Sequence, residues 1–539
     1  MPAASNPLTQ TGEPITWNFK LLAQNNLGGF GGMGEGMSIT IAKDGRRIIW
    51  LAHESAPKNF TGVDVSDPRN PKVVVQTDLP KPFMRSNSLE CSANNIMAVA
   101  YQTQKTGQQP AGLELFDVSV PEKPRSISFF DCSGPTSRGV HQLWFCDGEY
   151  VHMASGSPDF KPSNPLDDQF YRCIDVRDPS KPKEVGRWWM PGTSATDNIA
   201  PPPRHPLDKG YRAHNTNVYQ SRPDRLYLCY IDGGMFVMDI KDKANPKVIS
   251  HWTNSPPYTG FMHTAVPLFD RNLMLVTDES TENAGKDWPK LIWMLDMRDE
   301  AHPVSIATCP LPPLDAYKDR GGRFGAHNIH ENVELPTAWR SDQIVLGTFF
   351  NGGLRAYDIS NPYQPKEVAC FVPPAPKGSP VGAIQLNDVF VDERGIVYTM
   401  DRFSGGCTHW RWTSDLPSPR AAGRDKVRHE RALPLPGRRY VRAPAQARAR
   451  PSHSGDRGHR LSGRRQDHAA ARLPGDARGA RHRGRGQRIR RHRHRRRAGA
   501  LQRRRNRAAR QWLPVLHRAQ RSTASPAPPG GGARARRIT

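Results

Sequence analysis

Four histidines stand at matching places along this chain: His141 in RGVHQLWF, His214 in YRAHNTNVY, His263 in GFMHTAVPL and His327 in FGAHNIHENV. Each follows a small or apolar residue and opens a strand-like run that ends in a turn. Neutral imidazole suits Zn, Cu and Fe. Four imidazoles converging on one point would hold a divalent transition metal such as Zn, Cu, Fe or Mn. A set made only of His also buries no uncompensated carboxylate charge. A purely structural His, holding its strand by hydrogen bonds, would recur in nearly every unit. Here the matching places elsewhere fall near Ser38, Ser88 and Gln385.

A second tier of candidates lies nearby. His330 and Glu331 follow His327, and on a strand Glu331 is the one that shares its face. Asp278 and Glu279, Asp401 and Arg402, and His53 and Glu54 each end a strand-like run. A carboxylate among them could orient a ligating imidazole through its second nitrogen or serve as a general base. Each could equally be a solvated loop charge.

The elements that position these residues repeat. VDVSDPRNP, FDVSVPEKP, IDVRDPSKP, MDIKDKANP, LDMRDEAHP and YDISNPYQP start at Val63, Phe116, Ile174, Met238, Leu295 and Tyr357. In every copy a Pro stands seven positions after the Asp, while the copies are 53 to 64 residues apart. A fixed unit with variable spacers marks a repeat architecture. The apolar runs are rich in Val, Ile, Phe and Tyr, as strands are, and Asp-Pro or Asn-Pro makes a turn.

Upstream of each motif lies another hairpin. Seven can be placed, turning at Asp44-Gly45, Asn94-Asn95, Asp147-Gly148, Pro223-Asp224, Asp270-Arg271, Ser341-Asp342 and Glu393-Arg394-Gly395. Each unit therefore has about four strands, the content of one propeller blade. The predicted fold is all-β: a seven-bladed propeller over residues 14–412, with a disordered tail over 413–539. PITWNFKLLAQ from Pro14 resembles the strand after each repeat Pro, so the N-terminal segment is expected to supply the outer strand of the seventh blade.

On these motifs the chain resembles the LVIVD-repeat family, a mostly bacterial group named for its apolar run ending in Asp. The resemblance covers about residues 14–412. It implies a propeller and little chemistry, because propellers host enzymes, binders and scaffolds alike.

Seven hairpins against six motifs leaves one motif missing. Where it should fall, the chain reads GGCTHWRWTSDL from Gly405. Moving the reading frame one nucleotide upstream from Cys407 forces Leu across His409-Trp410 and Asp across Trp412-Thr413, and it permits GGLYTLEMDF. That restores the strand. Residues 417–539 hold 36 Lys and Arg, all but Lys426 being Arg, against 5 Asp and Glu. GC-rich DNA read out of frame gives this bias. If the strand is lost, the outer edge of its blade is left unpaired.

The charge of +26 for the whole chain therefore belongs to the tail, and residues 1–416 carry −5. The body has no electrostatic footprint for nucleic acid. Its eight Cys lie mostly in strand-like runs without a CxxC, which reads as buried free thiols. There is no apolar run long enough to span a bilayer. The opening residues carry no secretory pattern, so a cytoplasmic location is expected. GGFGGMGEG from Gly28 is not followed by a helical pattern and does not read as a phosphate loop.

The expected function is a metal-dependent oxidoreductase or hydrolase of a small molecule. The alternative is a metal-free scaffold or a module that binds a ligand or protein partner. Resequencing the gene across codon 406 is expected to reveal a one-nucleotide slip, and an intact frame there would overturn that reading.

Overall fold

In all six motifs the Asp carboxylate caps its own turn. The backbone N–H two residues on donates to Asp Oδ1 at 2.8–3.1 Å, from Ser66 to Asp64, Ser119 to Asp117, Arg177 to Asp175, Lys241 to Asp239, Arg298 to Asp296 and Ser360 to Asp358. In five copies a second Asx turn follows, on Asp67, Asp178, Asp242, Asp299 and Asn361. Two successive side-chain-to-backbone turns fix the reversal of the chain, which explains the constant interval to Pro. The residue after that Pro then pairs directly with the motif Asp, as Lys72 does with Asp64 and Lys183 with Asp175.

The computed structural model describes residues 14–412, apart from Pro202. Within them the strands form seven four-stranded antiparallel sheets, the blades of a β-propeller. The first comprises Met33–Ile41, Arg47–His53, Lys58–Asp64 and Lys72–Asp78. The second comprises Met84–Cys91, Ile96–Thr103, Gly112–Asp117 and Arg125–Asp131, and a single pairing of His53 with Ser86 joins it to the first. The third, fourth and fifth follow in the same order. The tail, expected to be disordered, lies outside the described residues.

Closure differs from expectation in one respect. Phe19–Asn25 does pair with Cys407–Trp412 as the outer strand of the seventh blade. Ile15–Trp17, however, pairs with Lys366–Val372 of the sixth. Asn18 makes the switch: it sits at φ 57° and donates from Nδ2 to the Val368 carbonyl. Asn tolerates that left-handed backbone better than most residues. The sixth blade's inner position is taken by the segment around His327–His330, which bonds to Leu346 and Thr348 without forming a regular strand.

The unpaired edge expected near Gly406 does not arise. Cys407–Trp412 bonds to Ile396–Asp401 on one side and to Phe19–Asn25 on the other. Ladder hydrogen bonds use the backbone, and Cys, Thr and Trp are tolerable strand formers, so an altered reading frame can still supply a strand. His409 is nonetheless fully buried with Nε2 unpartnered, which suits the site poorly.

The last blade also meets the first. Asn387 Nδ2 donates to Gly34 O at 2.6 Å and Arg47 pairs with Glu393, while Thr337 Oγ1, from the loop before Ile344–Thr348 of the sixth blade, donates to Ile39 O at 2.9 Å. Apolar side chains fill the space between neighbouring blades. Phe19, 5% exposed, packs in the cluster that holds Phe371 and Val372 of the sixth blade and Val397 of the seventh. Phe19→Ala should cost about 3–5 kcal/mol in urea unfolding. A loss below about 1 kcal/mol would show that this strand does not close the ring.

Candidate metal centre

Each inner strand breaks its register at one place, and the residue released there is aimed off the sheet. The breaks lie between Met33 and Met37, Arg85 and Ser88, Val140 and Gln142, Met262 and Ala265, and Leu386 and Asp388. The fourth and sixth blades show the same bulge in their hydrogen bonds. His214 N donates to Cys229 O while Cys229 N donates to Asn215 O, and His327, Asn328 and Thr348 repeat the pattern. The bulge residues are Glu35, Asn87, His141, His214, His263, His327 and Asn387. Ser38, Ser88 and Gln385 are therefore not the equivalents of the histidines. A strict two-residue alternation passes over a bulge, and that is why they were favoured. Ser38 Oγ instead accepts from Cys91 N, and Gln385 Oε1 from Arg323 N.

The four predicted histidines do come together. Successive ring centroids are 4.6, 4.0 and 4.5 Å apart from His141 through His214 and His263 to His327. His141 Nε2 lies 2.9 Å from His214 Nε2. Glu35 joins them: its Oε2 is 4.0 Å from His214 Nε2 and 3.7 Å from His263 Nε2, and its Oε1 is 3.6 Å from His327 Nε2. The expectation of a His-only set is thus corrected. Three overlapping groups, Glu35-His263-His327, Glu35-His141-His214 and His214-His263-Glu279, have ligand atoms within 4.8 Å of one another.

The outer nitrogens decide the tautomers. His327 Nδ1 faces the Asn387 carbonyl, which can only accept. His214 Nδ1 faces Asn215 Oδ1 at 2.7 Å, and the amide is fixed that way because Asn215 Nδ2 donates to Glu331 Oε1. His263 Nδ1 bonds Thr264 Oγ1, whose own proton goes to Asn328 Oδ1. His141 Nδ1 faces Gln102 Oε1 at 3.1 Å, an oxygen that also accepts from Arg85 Nε. His214, His263 and His327 thus donate outward from Nδ1 and carry an Nε2 lone pair inward. His141 differs: Arg85 Nη2, which can only donate, also lies 3.2 Å from its Nδ1, and a proton on His141 Nε2 then bonds the His214 Nε2 lone pair at 2.9 Å. His263 Nε2, His327 Nε2 and Glu35 Oε2 are buried without a hydrogen-bond partner. Burial lowers the His214 imidazole to about 4 and lowers His141 and His263 as well, so these three rings are neutral at ordinary pH.

In the sequence, Glu35 and its glycines belong to the run GGFGGMGEG, where no phosphate loop is read and no axial role is assigned to Glu35. A Cβ on Gly34 would stand 2.4 Å from Asn87 O, and one on Gly36 would stand 2.2 Å from Leu89 N. The glycines let the first inner strand press against the second and bring Glu35 to the axis. The signal was present, a lone carboxylate between two glycines, but it carries meaning only once the blades are packed.

The second-tier residues divide. Glu279 lies at the cluster, its Oε1 3.7 Å from His327 Nε2 and 2.6 Å from Arg323 Nη1. Arg402 lies there too, 3.6 Å from Glu35 Oε1 and bonded to Glu54 and Asn387. Asp278 points the other way and accepts from Trp293 Nε1 and Asn254 Nδ2 inside its blade. Asp401 is occupied by the backbone N–H groups of Gln385, Phe403, Ser404 and Gly405. His53 bonds Thr61, and His330 bonds Trp339 and Val391 across blades. Those four hold structure.

Glu331 sits beyond the cluster, accepting from Asn215 and Asn217. With Glu35, Glu90, Gln142, His330 and Asp388 it lines a chamber of about 30 Å³. That exceeds the roughly 10–15 Å³ one water needs. Burial pushes Glu331 up to about 7 and Glu90 up to about 8, and raises Asp388 well above its usual range.

No protein-family profile matches this chain, and no curated protein does. Among solved structures it is similar to the β-propeller domain of Cps50 (Swd1) from Myceliophteria thermophila. The two are 12% identical with a TM-score of 0.43, over 70% of this chain and 96% of that one. The description of the fold rests on the sheet order and ring closure set out above.

Glu90 gives a test of the chamber. Its folded-state value lies above that of an unfolded glutamate, so folding favours the acid form and stability is lost as pH rises towards 8. Glu90→Gln keeps the shape and removes that loss. The variant should melt several degrees above the parent at pH 8 and level with it at pH 5. A melting difference that ignores pH would contradict a buried, protonated Glu90.

Proposed function

We propose that this chain is a metal-dependent enzyme of the LVIVD-repeat propeller type, acting on a small molecule by oxidation or hydrolysis. His141, His214, His263 and His327 would hold a divalent transition metal, Zn, Cu, Fe or Mn, with Glu35 as a fifth donor. One observation carries this reading: four buried imidazoles and a carboxylate converge on the axis, and the outer nitrogens of His214, His263 and His327 are already committed to acceptors. Outward bonds of that kind fix ring orientation and raise ligand basicity.

When bound, the metal supplies Lewis-acid or redox chemistry at neutral pH. The residues around it do the rest. Arg323 holds Glu279 Oε1 beside His327. Arg402 and Glu54 brace Glu35 from the first and seventh blades. Glu35 borders both the cluster and the carboxyl chamber that Glu331 and Glu90 line.

Elemental mass spectrometry of the purified protein should find close to one equivalent of Zn, Cu, Fe or Mn. A variant combining His214→Ala with His263→Ala should lose it while keeping its β-sheet circular dichroism. If no metal binds after reconstitution, or the double variant keeps it, the metal reading fails. The chain would then be a binding propeller with structural histidines.

A further inference from the structure

The residues just ahead of the axial positions share a character that the metal reading does not use. Arg85 precedes Asn87, Arg138 precedes His141, Arg212 precedes His214 and Arg323 precedes His327, each by two to four positions. Arg402 arrives at the same level from the end of a second strand. The inner strands share one direction through a propeller, so these five guanidiniums crowd one end of the channel. The acids of the chamber follow the axial residues and lie at the other end.

The contacts confirm the crowding. Arg85 and Arg402 both bond Glu54 Oε1 at 2.6 Å, Arg138 and Arg212 both bond Asp168 Oδ1 at 3.0 and 3.2 Å, and Arg323 bonds Glu279. With Glu35 Oε1 3.6 Å from Arg402 Nη1, five cations thus share four carboxylates at this mouth. Burial and then the like charges of Arg138 and Arg85 lower the Arg212 guanidinium, despite the opposing pull of Asp168. Two donors are buried there without an acceptor: Arg212 Nε, and Nε2 of Gln102, whose Oε1 meets His141 and Arg85. Unfilled buried donors among surplus cations are costly unless something accepts from them.

We propose that the arginine mouth is a receptor for a small organic acid, whose carboxylate docks on Arg212, Gln102 and Arg323 and brings the molecule over the axial histidines. This deepens the enzyme reading by naming its substrate class, and it rests on that reading only for turnover. Planar guanidinium forks match carboxylates in two-point geometry. The surplus of one charge favours an anion over a neutral or cationic molecule. Field lines focused in a narrow mouth also raise the capture rate of anions.

Calorimetric titration of the full chain, both metal-loaded and chelator-treated, would use succinate, its neutral diamide succinamide, and inorganic phosphate. Succinate should bind at least tenfold more tightly than succinamide, a difference of about 1.4 kcal/mol. Arg212→Gln and Arg323→Gln should each weaken succinate about tenfold, and Arg212→Gln should do so with metal content unchanged. Because those variants expose a buried carboxylate partner, Arg212→Lys and Arg323→Lys serve beside them. They keep the charge and the ion pair, lose the fork, and should weaken succinate severalfold at an unaltered melting temperature. Succinate binding that equals succinamide, falls below phosphate or ignores all four substitutions would overturn the proposal. Succinate bound by protein that takes up no metal would sink the metal reading alone, and metal without succinate binding would sink this one alone.

Discussion

Buried imidazoles crowded at one point cannot be held together for nothing, and much of the protein's architecture holds them. His141 and His214 approach to 2.9 Å between their Nε2 atoms with Glu35 close behind. His214, His263 and His141 are each held on the far side by a side chain that a further bond orients, and His327 by the Asn387 carbonyl. Asn215 is fixed by Glu331, Thr264 by Asn328, and Gln102 by Arg85. Those anchors are themselves buried, so a ring can swing away from the axis only by leaving a polar group unsatisfied. Such a group costs on the order of 1–3 kcal/mol. The site is preorganised by its second layer.

The channel is polar along its length. Arginines gather at the end where the inner strands begin, the histidines stand in the middle, and protonatable carboxyls lie beyond. The order follows from chain direction. A residue before the bulge faces the mouth, the bulge residue faces the axis, and a residue after it faces the chamber. Glu35 is the hinge of this arrangement, bordered by Arg402 on one side and open to the chamber on the other.

The blade count and the turns were legible in the sequence because they depend on local chemistry. An Asp that caps its own turn needs no distant partner, and the six motifs could be read alone. The four histidines were legible for the same reason, as each begins an inner strand. Glu35 was not, because its meaning comes from the second blade pressing against Gly34 and Gly36. Asp278 and Glu279 are adjacent in sequence and opposite in role, and only the pleat separates them. Asp401 looked like a channel carboxylate but spends its oxygens on four backbone donors. Four of the arginines are hidden by spacing: Arg85, Arg138, Arg212 and Arg323 stand two to four residues ahead of their axial neighbours, which follows no strand period, whereas Arg402 is legible beside Asp401 at a strand end.

The donors of the cluster come from five inner strands: the first blade gives Glu35, and the third to sixth give one His each. None of these sheets brings two of them together by itself. Their convergence is a property of the closed ring, in the same way that a barrel interior belongs to no single strand. Closure in turn depends on Phe19–Asn25 meeting Cys407–Trp412 and on Asn387 reaching back to Gly34. That last bond links the seventh blade to the residue beside Glu35. Opening the ring would therefore displace the axial carboxylate before any histidine, because Glu35 sits on the strand that closure presses into place.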